Sequence, residues 1–180
     1  MRRFVGGAAI LALSACAPVT PEPAPTEAPV AVQTPFTGTA DFVLVDKSDR
    51  TLALYSGGRL VRIIGGIAFG DAPYGHKRFK GDERTPEGRY NIDTRNPNSA
   101  YHLSLRISYP NAADRAFAER LGRDPGGDIF IHGQPNMLPA ADTGARLPGD
   151  WTDGCIAVGN AEMEELWRAI PDETPIVIQP

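Results

Sequence analysis

The sequence predicts a mainly β fold of the α+β class, sandwich-like or barrel-like, with two short helices. Three observations carry this expectation. Short runs rich in Val, Ile, Leu and Tyr recur with turn residues between them, only two segments suit a helix, and residues 41–180 make one domain with one core.

The elements follow in order. In "DFVLVDKSDRTLALYSGGRLVRIIGG", three apolar runs are separated by "KSDR" and "SGG", so Phe42–Val45, Thr51–Tyr55 and Arg59–Ile64 read as an antiparallel meander. The polar, turn-rich "DAPYGHKRFKGDERTPEG" reads as a long exposed loop, the kind of segment in which binding sites often lie. "RYNIDT" and "YHLSLRIS" read as strands, the second placing His102, Ser104 and Arg106 on an outward face. "NAADRAFAERLG" suits a short helix capped by Asn111 and stopped at Gly122. After "RDPGGD", the run "IFIHG" is a buried strand ending on His132. A second helix, "AEMEELWRAI", starts after Asn160 with an acidic first turn and stops before Pro171, with Leu166, Trp167 and Ile170 as core. "TPIVIQ" closes the chain as a strand.

The N-terminal end has another character. "MRRFVGGAAILALSAC" joins two arginines to an apolar run too short to span a bilayer, which is a secretion signal. Leu13-Ser14-Ala15-Cys16 resembles the bacterial lipobox. The resemblance implies that residues 1–15 are a lipoprotein signal peptide and that Cys16, lipidated, becomes residue one. An ordinary signal peptide cut nearby is the plainer alternative. Ala17 rather than Asp after the cysteine points to the outer membrane in a Gram-negative envelope. The Pro-, Ala- and Thr-rich stretch to Ala40 cannot bury enough apolar surface to offset its chain entropy, so residues 16–40 read as a tether. The expected location is therefore the bacterial periplasm or cell envelope, held to a membrane by the lipid on Cys16.

Charge narrows the partners. Removing residues 1–15 takes away Arg2 and Arg3 and no acid, leaving 16 basic against 22 acidic residues, a net −6. With no block of Lys and Arg along the chain, nucleic acid is not an expected partner. Cysteine usage narrows the chemistry. With Cys16 lipidated, Cys155 is the one remaining thiol, and an unpaired thiol in an oxidising compartment calls for an explanation.

A cysteine is a strong nucleophile only as thiolate, and a histidine within hydrogen-bonding reach is the usual device. His132 stands 23 residues before Cys155, and the intervening Gly- and Pro-containing segment can loop back to join them. Gly154 permits backbone conformations closed to other residues, so the N–H groups of Gly154 and Cys155 can point at one spot, as an oxyanion hole requires. The alternative is a tight turn with Cys155 as a small, inert core residue. An enzyme thiol is expected to be alkylated quickly at neutral pH, and an inert one only on unfolding.

"IHG" followed by "WTDGCIAV" resembles the signature of the YkuD-type L,D-transpeptidase family, a histidine with a downstream Ser/Thr-x-Gly-Cys. "TLALYSGGRLV" is similar to that family's opening hairpin and "GDERTPEGRYNI" to its T-P-x-G-x-Y segment, so the likeness covers the chain from Asp41 onward. It implies a YkuD-like catalytic domain acting on peptidoglycan stem peptides through a thioester, with no metal or organic cofactor. Cys155 would be the nucleophile and His132 the general base and later acid. Gly133 would orient the imidazole through its carbonyl. Asp153 departs from the second histidine common in the family and Ala157 from its Arg or Asn; both changes bear on how substrate carboxylates are held. "DWT-x-GCIA" looks more like the YafK-like branch, some of whose members cut peptidoglycan–lipoprotein links, so a hydrolase sharing the acyl-enzyme is the alternative reaction. A non-catalytic envelope-binding lipoprotein is the alternative of another class.

The other candidates are blander. His76 reads as a solvated loop histidine, and Arg84, Thr85 and Glu87 as shaping a turn. Trp151 either lines the acyl-acceptor side or packs under its loop. A zinc peptidase lacks its HExxH or paired-ligand spacing.

Overall fold

The computed structural model describes residues 34–137 and 146–180; Cys16, the signal segment and most of the expected tether lie outside them. The meander forms as the alternation demands: β1 (Phe42–Asp46), β2 (Thr51–Ser56) and β3 (Arg59–Gly65) pair antiparallel in that order. The further strands are β4 (Gly88–Ser99), β5 (His102–Ile107), β6 (Phe130–His132), the two-residue β7 (Ile156–Ala157) and β8 (Thr174–Gln179).

All eight belong to one curled sheet in the order β3-β2-β1-β8-β4-β5-β6-β7. β8 runs parallel to β1 and antiparallel to β4, which places the C-terminal strand in the middle. The two edges are joined by the segment leaving β3. Ala68 exchanges backbone hydrogen bonds with Ala157 of β7, at 2.9 Å in each direction, and Gly70 bridges Thr152. A sheet whose edges meet has little unpaired edge left. This seam is the barrel-like element of the fold, and it lies against the cysteine.

β4 is twelve residues long, well beyond "RYNIDT". Pro97 does not end it because the β4–β5 pairing is irregular between Asn96 and Ser99, so the missing N–H leaves no ladder bond unmade. The helices are α1 (Ala112–Arg120) and α2 (Asn160–Ala169). α1 carries the expected cap: Asn111 accepts from Ala113 and Asp114 N–H, while Asp114 reaches back to the Asn111 N–H. α2 is capped by Gly159 without a side-chain bond. Asn160 lies inside the helix, and its Oδ1 accepts instead from the Gln134 N–H at 2.8 Å.

The core gathers Leu52, Leu54, Phe69, Ile92, Leu105, Ile107, Ile131, Ile156, Met163 and Leu166, all fully enclosed. Each such side chain contributes about 1.5–3 kcal/mol of transfer free energy. Trp167 packs against this cluster from outside, under the Arg95 guanidinium. Part of the expected tether belongs to the fold: the Phe36 N–H donates to buried Glu165 at 2.7 Å, and Ala40 is buried with its N–H on Ala169 O.

The loop between β3 and β4 is not merely an exposed connection. Asp82 accepts from the N–H groups of Arg78, Phe79 and Arg84 and from the buried Lys77 ammonium. His76 is not solvated. Its Nδ1 accepts the Glu87 N–H at 2.8 Å, which leaves Nε2–H to donate to Asp114 at 3.0 Å, and Tyr90 donates to the other Asp114 oxygen. Thr85 is buried with its hydroxyl on the Gly70 N–H, and Glu87 pairs with buried Lys47 at 2.6 Å.

Candidate active site

A cleft of about 800 Å³ opens between the β3–β4 loop, the ends of β5 and β6, and the segment before β7. His132 and Cys155 both line it. Parallel pairing makes this so: β6 and β7 are neighbours with Ile131 beside Ile156 and His132 beside Ala157, which brings the end of one strand next to the start of the other.

The turn before β7 is held from three sides. The Thr152 hydroxyl accepts from the Gly154 N–H at 3.2 Å and donates to Cys155 O at 2.8 Å, closing the turn on itself. Trp151 and Thr152 N–H both donate to Phe69 O. Asp150 forms a two-pronged pair with Arg50, at 2.8 and 2.6 Å, and its Oδ1 also accepts the Phe69 N–H at 2.8 Å. The Arg50 guanidinium first, then the Phe69 N–H, hold the Asp150 carboxyl below the usual carboxylate range against the opposing effect of burial.

Asp150→Asn keeps the acceptor for Phe69 but loses the ion pair, so it is expected to cost about 1–2 kcal/mol and about tenfold in turnover. A group whose pKa is depressed on folding stabilises above its unfolded pKa and loses that contribution as pH falls through the lowered value. Melts of the two proteins across pH should therefore converge below about pH 4. A constant gap down to pH 2 would assign the loss to packing instead.

Gly154 has a φ of +125°, and a Cβ there would lie 2.5 Å from Arg84 O and 3.2 Å from Ile129 Cδ1. Only glycine fits. The expected pair of oxyanion donors is corrected, however. The Gly154 N–H is taken by Thr152, so Gly154 supplies conformation rather than a donor, and the Cys155 N–H is the one without a partner among the described residues.

The Cys155 thiol accepts the Phe130 N–H at 3.4 Å and donates to Asp128 O at 3.5 Å; it is not hydrogen-bonded to His132. Asp128 holds this carbonyl from a left-handed conformation, φ +56°. Burial pushes the thiol up to about 11, opposed by the Phe130 N–H and reinforced by Asp153 and Asp128. The resting cysteine is therefore a neutral thiol. A thiol raised in this way is expected to be alkylated slowly in the free protein at neutral pH and faster as pH rises, in contrast to the fast labelling expected from the sequence; rates of labelling across pH check this.

His132 is buried at the back of the cleft. Its Nδ1 donates to Gly133 O at 2.7 Å, which fixes the tautomer and leaves the Nε2 lone pair without a partner among the described residues. Burial lowers its pKa, opposed by the bond to Gly133 O, so the imidazole is neutral at neutral pH. Gly133 admits no side chain: a Cβ would lie 2.6 Å from Asn160 Oδ1 and 2.9 Å from His102 Cβ. The Tyr101 ring stacks on the imidazole at 4.6 Å and Trp151 meets it at 5.6 Å and 63°.

Several placements differ from the sequence expectation. Tyr101 carried no signal, because its role comes from a β4–β5 turn folding over His132. Ser104 points inward, opposite His132 in the β5–β6 pairing, and lines the cleft. His102 is half-buried with φ +67° and pairs with Glu164 at 3.2 Å, away from the thiol. Of the two departures beside the cysteine, Asp153 lines the cleft near Glu83, whose carboxyl is pushed up by burial and by the Asp153 charge, whereas Ala157 is sealed into the seam at 2 % exposure. Ala157 is therefore not positioned to hold a substrate. No group of three His, Cys, Asp or Glu side chains among the described residues is arranged to hold a metal ion.

Comparison with known proteins adds the family. Residues 40–178 match the model of the YkuD family, described as the L,D-transpeptidase catalytic domain. YafK of Escherichia coli (strain K12) is 25% identical over 145 residues, covering 74% of this chain and 48% of YafK. The helical cell shape determining protein Pgp2 of Campylobacter jejuni superposes with a TM-score of 0.61 at 29% identity, covering 79% of this chain and 48% of Pgp2. An L,D-transpeptidase from Xylanimonas cellulosilytica shares the fold at a TM-score of 0.50 and 20% identity, over 81% of this chain and 63% of that structure. The chain thus spans about half the length of YafK and Pgp2. It belongs to the YkuD family of L,D-transpeptidase catalytic domains.

Proposed function

We propose that this protein is a cysteine-dependent L,D-transpeptidase that remodels peptidoglycan through a thioester on Cys155. The observation that carries the reading is a neutral imidazole, with its Nε2 lone pair unoccupied, in one cleft with a thiol. A donor stem peptide seated there displaces the thiol from Asp128 O. The thiol proton passes to His132 Nε2, Sγ bonds to the amide carbonyl carbon, and the Cys155 N–H receives the developing oxyanion. His132 then gives the proton to the departing terminal D-amino acid as the C–N bond breaks. An acceptor amine reverses the sequence: its nitrogen attacks the thioester, its proton goes to Nε2, the S–C bond breaks, and the thiolate regains the proton. Gly133 O holds the imidazole in the productive tautomer throughout. The chemistry requires no metal or organic cofactor.

The same proposal places the protein in the bacterial cell envelope, exported by residues 1–15 and anchored by lipid on Cys16. No helix among the described residues is long and apolar enough to cross a membrane. Incubation with purified peptidoglycan, followed by mass analysis of the released fragments, tests the reaction. New cross-links or exchanged terminal D-amino acids are expected, and both should vanish in Cys155→Ser. Shortened or unlinked fragments alone would replace the transferase reading by the hydrolase, and unchanged peptidoglycan would leave an envelope-binding protein without turnover.

A further inference from the structure

The chain has an acidic balance, yet four cations that are scattered in sequence converge on one face. Arg78 lies 4.5 Å above the Phe117 ring, Arg120 5.6 Å from the same ring, and Arg123 4.3 Å above Phe79. The two phenyl rings are themselves 6.1 Å apart. All three arginines and Lys80 are exposed, and none forms an ion pair among the described residues. Of the acids on these segments, Asp82 is paired with Lys77 and Asp114 is bonded to His76 and Tyr90, which leaves Glu83, Glu119 and Asp124 against the four cations.

The face is rigid where it needs to be. Asp82 fixes the backbone of Arg78 and Phe79, and the capping box at Asn111 fixes the start of the helix that carries Phe117 and Arg120. A guanidinium lying on an aromatic ring keeps its in-plane N–H fork directed outward, already oriented for a carboxylate. The face is also continuous with the cleft. The Lys80 N–H donates to Asp124 O at 2.9 Å, and Lys80, Asp124 and Gly126 line the cleft wall.

We infer that Arg78, Arg120 and Arg123, stacked on Phe79 and Phe117, form a docking face for the carboxylate-bearing peptides of the cell-wall polymer, outside the catalytic cleft and feeding it. The inference rests on the proposed action on peptidoglycan. Its occupant is an acidic peptide rather than a phosphate-bearing lipid because the face runs into the cleft in which a peptide would react. A repeated anion held at several points would concentrate substrate at the cleft mouth in a salt-dependent way.

The test is co-sedimentation of the full chain, kept soluble in nonionic detergent, with purified sacculi. The triple variant R78Q/R120Q/R123Q is expected to bind about tenfold more weakly at low salt, as the loss of three exposed charge contacts implies. Its remaining binding should respond less to added salt, and its kcat at saturating soluble disaccharide-tetrapeptide should be unchanged, because the face lies outside the cleft in which the chemical steps occur. Sedimentation equal to the wild type overturns the inference. So does a loss confined to phosphatidylglycerol vesicles, which would assign the face to lipid. If the wild type fails to turn over the soluble fragment, the catalytic proposal falls, while the sedimentation result still decides this one.

Discussion

His132→Gln is expected to lower kcat/KM on a disaccharide-tetrapeptide at least about 10³-fold, within the range a positioned general base supplies. The reason lies in the resting state of the pair. The thiol is neutral, raised to about 11 by burial, and no hydrogen bond from the imidazole stabilises a thiolate beforehand. A base that removes the proton during attack is then indispensable. The wild-type profile should show it: His132 must be neutral to accept the proton, burial lowers its pKa below 6.5, and activity therefore holds across neutral pH and falls only on the acid side of that value. In His132→Gln the residual rate depends on the thiol ionising unaided, so it should rise about tenfold per pH unit toward pH 11. Initial rates across pH 5–10 check both profiles. A variant as flat with pH as the wild type would mean that the thiolate forms without this histidine.

Gly154→Ala is expected to damage fold and activity together. The added methyl meets a backbone carbonyl, Arg84 O, at 2.5 Å, and alanine is strained at φ +125°. Strain of this kind plus displacement of the loop costs about 3 kcal/mol, or roughly 10 °C in Tm for a domain of this size. Turnover should fall about 10²-fold, because the cysteine next door moves with the turn. Gly58→Ala is the control. Its φ of +74° is also left-handed, but nothing lies within 4 Å of the added methyl, so it should cost about 1 kcal/mol and leave turnover intact. Equal melting losses in the two variants would remove close packing against Arg84 from the explanation.

Much of this was legible in the sequence wherever a local rule decides the outcome. Alternating apolar residues set the meander, Asn111 announced the helix it caps, and the family signature singled out the histidine and cysteine that the fold brings into one cleft. What escaped comes from contacts between distant segments without periodicity. The seam from Ala68 to Ala157 depends on a sheet curling until its edges meet, and no local pattern encodes that. His76 looked solvated because its partners, Asp114 and Glu87, belong to a helix cap and another part of the loop. The Gly154 N–H was expected in an oxyanion hole, but a hydroxyl two residues away takes it. The arginine face is of the same kind, since residues 78 and 123 meet only through the packing of α1 on the β3–β4 loop. Asp153 and Ala157, both flanking the cysteine, part company for a similar reason. One lines the cleft and can touch substrate, whereas the other lies in the seam and cannot.

The central claim is that Cys155 carries the acyl group. The most direct test is the intact mass of the protein, quenched in acid shortly after mixing with a disaccharide-tetrapeptide, followed by peptide mapping. The expected result is a mass increase equal to the substrate less its terminal D-amino acid, located on Cys155, released by hydroxylamine, and absent in Cys155→Ser. Product formation with no adduct on Cys155, or an unchanged adduct in Cys155→Ser, would contradict it.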